Sequence, residues 1–506
     1  MKKNVLALSI AAMIGGFAGA ASAQVFPNTG MTPATAATLE QSEGGAGHIL
    51  VVPYFTSQND NMSVFHVVNT DTVNGKALKV RFRGAANSDD ILDFTVFLSP
   101  GDVWTGSVQG NEQGSTFLTN DKSCTLPDIR GQQVQFVTDR LPSDATAAQT
   151  KEGYVEILNM ADIKPSTDEK SIYFATKHKN GVAPCTSEVL DQTLNINPLS
   201  TTSVAAASAL GFDTPSGKLT ADWYILNVNQ TTTFSGAATA IAATGGNGRG
   251  NFVLFPQDET NSAATSGNAA SLTADPLLKG NIVKPVNFDF PDLSTPYLAT
   301  TANPEAQASR LTQAVANNGV SNQFALDTLI AAKTDWVLSM PTRRYSVGAD
   351  YTKKPTDAAY RVFNTGVVDL ASARYFTPEN TYVNTANGLI CANTNAYTFW
   401  DREETSKRNG AVISPSTLKG LDFCGEVNVL SFNDAAGTSV LGASVARTNV
   451  QVGYENGWGA ISYTKALPVV GSSFIKLMNS GGAANGFSGT YGITWPHRFA
   501  KPVAAQ

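Results

Sequence analysis

Along most of this chain, β-branched and aromatic residues come in short runs separated by Gly, Pro, Asn, Asp and Ser. Between His48 and Val108 the runs cover 48–55, 63–69, 77–82, 91–98 and 103–108, each of strand length. Asn74-Gly75 separates two of them and suits a tight hairpin, and Ser99-Pro100-Gly101-Asp102 marks another reversal. Such spacing leaves no room for crossover helices, so it predicts antiparallel sheets rather than a parallel α/β fold. Further runs follow at 133–138, 153–159, 171–176, 222–228 and 251–255. Several runs open on an aromatic residue and close on Asn, as in Phe65 to Asn69 and Tyr154 to Asn159. Their spacing is irregular, so no solenoid is expected, and a closing Asn is explained by the turn its side chain supports.

From about residue 231 to 318 the composition shifts to Ala, Ser, Thr, Gly and Asn, and 243–250 and 262–270 read as flexible surface loops. Asn303-Pro304-Glu305 predicts a helix start and Asn317-Asn318-Gly319 its end. A second helix is expected from Ser321 through Ala332. Strands then resume at 336–340, 343–347, 360–364, 396–400, 426–432, 440–446, 459–464 and 474–477. The expected fold is mainly β, with antiparallel β-sandwich-like halves and a short helical junction. Its divisions are a signal peptide at 1–23, a β-rich domain at 24–230, a junction at 231–325 and a second β-rich domain at 326–506.

Composition sharpens this picture. Only 15% of the 506 residues are charged and 43 are Gly, a balance suited to many turns rather than long charged helices. A net charge of -6, with no basic block, argues against nucleic-acid binding. Lys2 and Lys3, an apolar run from Val5 to Ala20, and Ala21-Ser22-Ala23 have the form of a bacterial secretory signal, with cleavage expected before Gln24. No other stretch has the roughly 18 apolar residues of a membrane helix. Cys124, Cys185, Cys391 and Cys424 form no C-x-x-C pair, and export makes disulfides the default. Of three connectivities, Cys124 with Cys185 and Cys391 with Cys424 is preferred, because it staples each half internally.

Catalytic signatures are sparse. Neither G-x-S-x-G nor H-E-x-x-H occurs, and there are four histidines, His48, His66, His178 and His497. Gly246-Asn247-Gly248-Arg249-Gly250 lacks the strand, helix and Lys-Ser/Thr context of a phosphate loop. Trp400-Asp401-Arg402-Glu403-Glu404 joins an aromatic to three carboxylates, the materials for sugar stacking and acid/base work on a glycosidic bond. On an extended strand Asp401 and Glu403 would share one face about 7 Å apart. Trp400, Asp401 and Glu403 are therefore candidate glycan-binding residues. Asp60, Asp89 and Asp90 are candidate calcium ligands on polar turns, although none follows the EF-hand spacing. Trp495-Pro496-His497-Arg498-Phe499 reads as a last strand docking into the core.

Gly44-Gly45-Ala46-Gly47-His48, Val52-Pro53-Tyr54-Phe55, Val80-Arg81-Phe82-Arg83-Gly84-Ala85-Ala86-Asn87-Ser88 and Leu98-Ser99-Pro100-Gly101-Asp102-Val103-Trp104 together form distinctive strings. With Asp401-Arg402-Glu403-Glu404, Glu426-Val427-Asn428-Val429 and Pro496-His497-Arg498, they resemble a group of secreted proteobacterial proteins described as cell-surface or S-layer-like. The resemblance touches both halves and transfers no catalytic residue. It implies a non-enzymatic structural protein, exported by the general secretory route to the Gram-negative surface or beyond it. Self-association into a surface layer is the leading expectation, with calcium, the outer-membrane surface or lipopolysaccharide as further partners. The alternatives are a secreted glycan-binding module or hydrolase, and an adhesin or biofilm-matrix component.

Overall fold

The computed structural model describes residues 30–138, 141–142, 147–196, 201–254, 277–278, 281–282, 291–299, 304–368, 375–408, 421–433, 439–479 and 489–500. The expected signal segment and the run at 262–270 lie outside these residues. The protein is mainly β, and four large sheets dominate it. In the first sheet the strand order is Thr38–Gln41, Thr239–Thr244, Ile49–Thr56, Glu152–Ile163, Gly75–Gly84, Asp90–Leu98 and Cys124–Leu126. The second runs Thr232–Ala237, Leu219–Asn227, Met62–Asn69, Val103–Asn111, Gly114–Leu118 and Gln133–Gln135. Every strand pair in these two sheets is antiparallel.

Aromatic side chains fill the space between these sheets. Phe82 of the first sheet meets Phe65 and Phe117 of the second at centroid distances of 5.6 and 5.5 Å, and Trp104 stacks on Phe117 at 5.8 Å. Such pairs each add about 0.5–1.5 kcal/mol beyond their buried area. Gly106 makes the arrangement possible, since a Cβ there would fall 2.3 Å from the Phe117 ring.

The C-terminal half repeats the design. Its outer sheet is ordered Ser406–Arg408, Ala396–Trp400, Asn456–Leu467, Asn317–Ala325 and Arg498–Ala500. Its inner sheet is ordered Arg447–Val450, Val427–Phe432, Lys333–Ser339, Val470–Asn479 and Gly489–Pro496, with one parallel pair at Val427–Phe432 and Arg447–Val450. Trp336 packs on Phe432 at 5.0 Å, Phe324 stacks on Phe432 at 5.5 Å, and Gly459 leaves room for Phe399, whose ring a Cβ would meet at 2.3 Å.

The halves share a core. Val337, Val427, Val429, Val470 and Phe474 of the inner sheet belong to the apolar cluster of the N-terminal sandwich. Phe474 lies 5.8 Å from Trp223 and 5.5 Å from Phe234. Consequently the central strands of the first sheet, Ile49–Thr56, Gly75–Gly84 and Glu152–Ile163, are buried at every position. The second sheet keeps the alternation of a one-sided sheet, as Leu219–Asn227 illustrates.

Several local expectations change. Thr232–Ala237 and Thr239–Thr244 complete the two N-terminal sheets, so the segment expected as a junction from 231 begins inside the first sandwich. Pro304–Val315 forms the predicted helix, burying Ala308, Leu311 and Val315. The second helix, expected from Ser321, is instead the strand Asn317–Ala325, hydrogen-bonded to a neighbour on each side. Val320 and Phe324 are buried on one face, a period of two that outweighs helix propensity. The run at 171–176 is a short helix, Ile172–Thr176, capped by the Ser171 side chain. Residues 343–347 likewise begin as a helix, Arg343–Ser346, before the strand Val347–Ala349. Neither 251–254 nor 440–446 forms a strand.

Both disulfides form as expected, Cys124 with Cys185 and Cys391 with Cys424. The first ties the helical excursion after Glu152–Ile163 to the edge of the first sheet. The second joins directly opposed residues of adjacent strands. They point to an oxidising, extracytoplasmic environment.

Candidate functional site

The strand Ala396–Trp400 ends at Trp400, and the chain reverses through Asp401 to Thr405 into Ser406–Arg408. The predicted pairing of Asp401 with Glu403 on one extended face is therefore not formed. Asp401 Oδ1 accepts the backbone amides of Glu403 at 3.0 Å and Thr405 at 2.8 Å, so its carboxylate holds the turn. Glu403 is exposed, and Glu404, at φ 65°, lines the adjoining hollow instead. Trp400 stacks on Trp458 with centroids 4.1 Å apart and planes inclined by 10°. The spacing in sequence concealed Trp458. The cross-strand register Trp400 opposite Trp458 creates the pair.

Trp458 borders two open hollows, both lined in part by outward residues of the outer sheet; the core-facing Phe324 and the inner-sheet Ile475 also line the first. One, of about 590 Å³, is lined by Gln323, Trp400, Asp401, Arg402, Glu404 and Asn456 among others. The other, of about 480 Å³, is lined by Ser321, Thr398, Ala460, Ser462 and Arg498 together with nonpolar neighbours, and no carboxylate or histidine borders it.

The calcium candidates are engaged elsewhere. Asp89 accepts Tyr351 Oη on both oxygens at 2.9 Å, and Asp90 pairs with Arg81; both acids are buried. Asp60 accepts Asn229 Nδ2 at 3.2 Å in the exposed turn Gln58–Asp60. Among the described residues no group of three or more His, Cys, Asp or Glu is placed to hold a metal ion. The expected polar turn at Asp89-Asp90 is instead turned inward, because the first sheet is covered on both faces. The loop at 243–250 is tied down as well. Asn247 hydrogen-bonds Thr35, while Arg249 lies 3.4 Å from Asp162 and 3.8 Å from Asp213.

Sequence reasoning missed a buried ionic layer that extends to where the halves meet. Alternate residues of Gly75–Gly84 place Lys79, Arg81 and Arg83 on the face away from the aromatic core. Arg83 Nε lies 3.4 Å from Glu156 Oε1, which also accepts Tyr154 Oη at 3.1 Å. Burial pushes the Glu156 carboxyl up to about 7, against the opposing pull of Arg83. Within the C-terminal half Arg343 Nε sits 2.6 Å from Glu426 Oε2, and across the junction Arg343 donates to Asn87 Oδ1 at 3.3 Å. The Glu426 amide donates to the carbonyls of Ala85 and Ala86 at 2.8 and 3.1 Å. Glu152 accepts the amides of Ser444 and Val445 at 2.8 and 3.2 Å, and Ser339 Oγ donates to the Pro53 carbonyl.

Pro53, Ala85, Ala86, Asn87 and Glu426 all belong to the strings that carry the resemblance. Three of these strings thus reach the weld between halves. Two of the histidines are buried within one half each. His48 accepts the Ala243 amide at 3.0 Å, and burial lowers it to about 4. His497 lies 2.9 Å from the Val337 carbonyl through Nε2 and 2.8 Å from Asn322 Nδ2 through Nδ1, and burial lowers it to about 3. The C-terminal strand docks as expected, through His497, while Arg498 stays exposed. Comparison of the chain with protein-family models, curated proteins and solved structures found no match.

Proposed function

We propose that this chain is a non-catalytic structural protein of the bacterial cell surface, exported by the general secretory route, that works by associating with copies of itself. The observation that carries this reading is a hairpin on the inner C-terminal sheet. Its strands, Val470–Asn479 and Gly489–Pro496, expose Met478, Tyr491 at 60% and Trp495 at 47%. Large aromatics left in water on an outer strand are a recurrent mark of contact surfaces. The rest of the molecule supports a scaffold role, since buried polar bonds such as those of Glu152 and Glu426 tie the halves together and a disulfide braces each half. Electron microscopy of the native cell envelope tests the reading. An ordered array that disappears when Tyr491 and Trp495 are both replaced by Ser supports it; an unchanged envelope on deletion of the whole chain contradicts it.

A further inference from the structure

We infer that the outward face of the outer C-terminal sheet is a carbohydrate-binding platform, with Trp458 as its stacking residue. The register sets out a grid on that face. Trp458, Ala460 and Ser462 lie on the central strand, opposite Trp400, Thr398 and Ala396 on one side and Gln323, Ser321 and Gly319 on the other. The intervening residues Ile461, Phe399, Val320 and Phe324 face the core and are buried. Small side chains over most of the grid leave it shallow, and Trp458, 44% exposed, stands at one end between the two hollows.

Three properties select a pyranose ligand. Trp400 holds the Trp458 ring in a fixed plane at 4.1 Å, so the aromatic surface is organised before a ligand arrives. Indole faces favour flat, weakly polar CH surfaces, and a pyranose ring presents them alongside hydroxyls. Around the ring, Gln323, Asn456, Arg402, Glu404 and Arg498 offer donors and acceptors of both charge signs, which suits neutral hydroxyls better than a single anion or cation. The hollows, about 480 and 590 Å³, are of ordinary small-ligand size and adjoin through Trp458, which suits consecutive sugars of one chain. The central strand Asn456–Leu467, which carries Trp458, is paired on both sides and offers no edge for a peptide strand to extend.

Pyranose chains reach an envelope protein from two sources, lipopolysaccharide and peptidoglycan, and only this choice of source rests on the surface reading. Titration of the purified full chain with delipidated lipopolysaccharide polysaccharide and, separately, with chitohexaose tests the platform by tryptophan fluorescence and calorimetry. At least one probe is expected to bind, and the one that does names the source. Trp458→Ala should weaken that binding roughly tenfold or more, as loss of a central aromatic contact does. Ala460→Arg, a change at an outward position that fills the hollow, should do the same, while Trp495→Ala should not. Binding of neither probe by the unaltered chain, or equal binding by the Trp458→Ala and Ala460→Arg variants, overturns the platform. Sedimentation of the same variants separates the two readings: lost sugar binding with unchanged association leaves the assembly proposal standing, and the converse leaves the platform standing.

Discussion

The two halves use the same sandwich plan and spend their polar and aromatic residues differently. Among the described residues, the large hydrophobic side chains exposed before residue 250 are all valines: Val73, Val103, Val137, Val182 and Val228. In the C-terminal half Tyr382, Trp458, Tyr491 and Trp495 are exposed. The N-terminal half instead commits Lys79, Arg81, Arg83, Glu152 and Glu156 to burial, and Glu152 reaches the other half through the amides of Ser444 and Val445. One half therefore buries its charged side chains, and the other leaves aromatic ones in water. Motif strings with no evident chemistry gain a physical reason from this division, since a buried charge tolerates few replacements once its partner is fixed.

The weld offers the strongest way to break the comparison. Glu426→Ala leaves Arg343 buried without its carboxylate, and a loss of about 3–5 kcal/mol is expected. Chemical denaturation should still show one transition by both tryptophan fluorescence and circular dichroism, because the core is shared. Two separated transitions would show that the halves are independent foundations.

The disulfides give the next effect. Replacing Cys124 and Cys185, separated by 61 positions, or Cys391 and Cys424, separated by 33, should cost about 4 kcal/mol in each case by the chain-entropy model. The longer loop carries the slightly larger loss. Thermal melts of the two double-Ser variants measure it.

Acid sharpens the comparison, since each half buries one neutral histidine. Both imidazoles have folded-state values below the ordinary 6.5. Their stabilisation is complete above about pH 6.5 and is lost as the pH falls, toward 4 for His48 and toward 3 for His497. A second proton on His497 would set an N–H against the Asn322 amide that it now accepts. Glu156 runs the other way. Raised to about 7, its contribution is complete below the ordinary 4.5 and is lost as the pH rises through 7. His497→Gln should flatten the acid limb of a stability-versus-pH curve, and Glu156→Gln the neutral limb. Unaltered limbs would contradict the burial assigned to these groups.

The smallest stability effect is expected at the surface. Tyr491→Ser and Trp495→Ser should each change the melting free energy by only about 0.5 kcal/mol, because these rings are largely hydrated in the folded chain. A loss of several kcal/mol would mean that the hairpin belongs to the foundation.

The β class, the disulfide partners and most strands were legible because period-two runs and turn residues are local signals. Asn317–Ala325 was not, since its helix-compatible composition is overruled by pairing with strands more than a hundred residues away. The ionic layer was hidden for a related reason. Lys79, Arg81 and Arg83 alternate with apolar residues as on any solvated face, and nothing nearby announces that a distant segment covers them. In the candidate site Trp400 was visible, whereas Trp458 became its partner only through register. Asp401 and Glu403 looked like paired acids because an extended backbone was assumed where a turn forms.

On the proposal made above, Tyr491 and Trp495 mediate contact between copies. Sedimentation velocity of the purified chain over a wide concentration range, beside the Tyr491→Ser/Trp495→Ser double variant, tests it most directly. The expected result is concentration-dependent association of the unaltered chain and a monomeric, equally folded variant. A chain that stays monomeric throughout, or a variant that associates just as well, would contradict it.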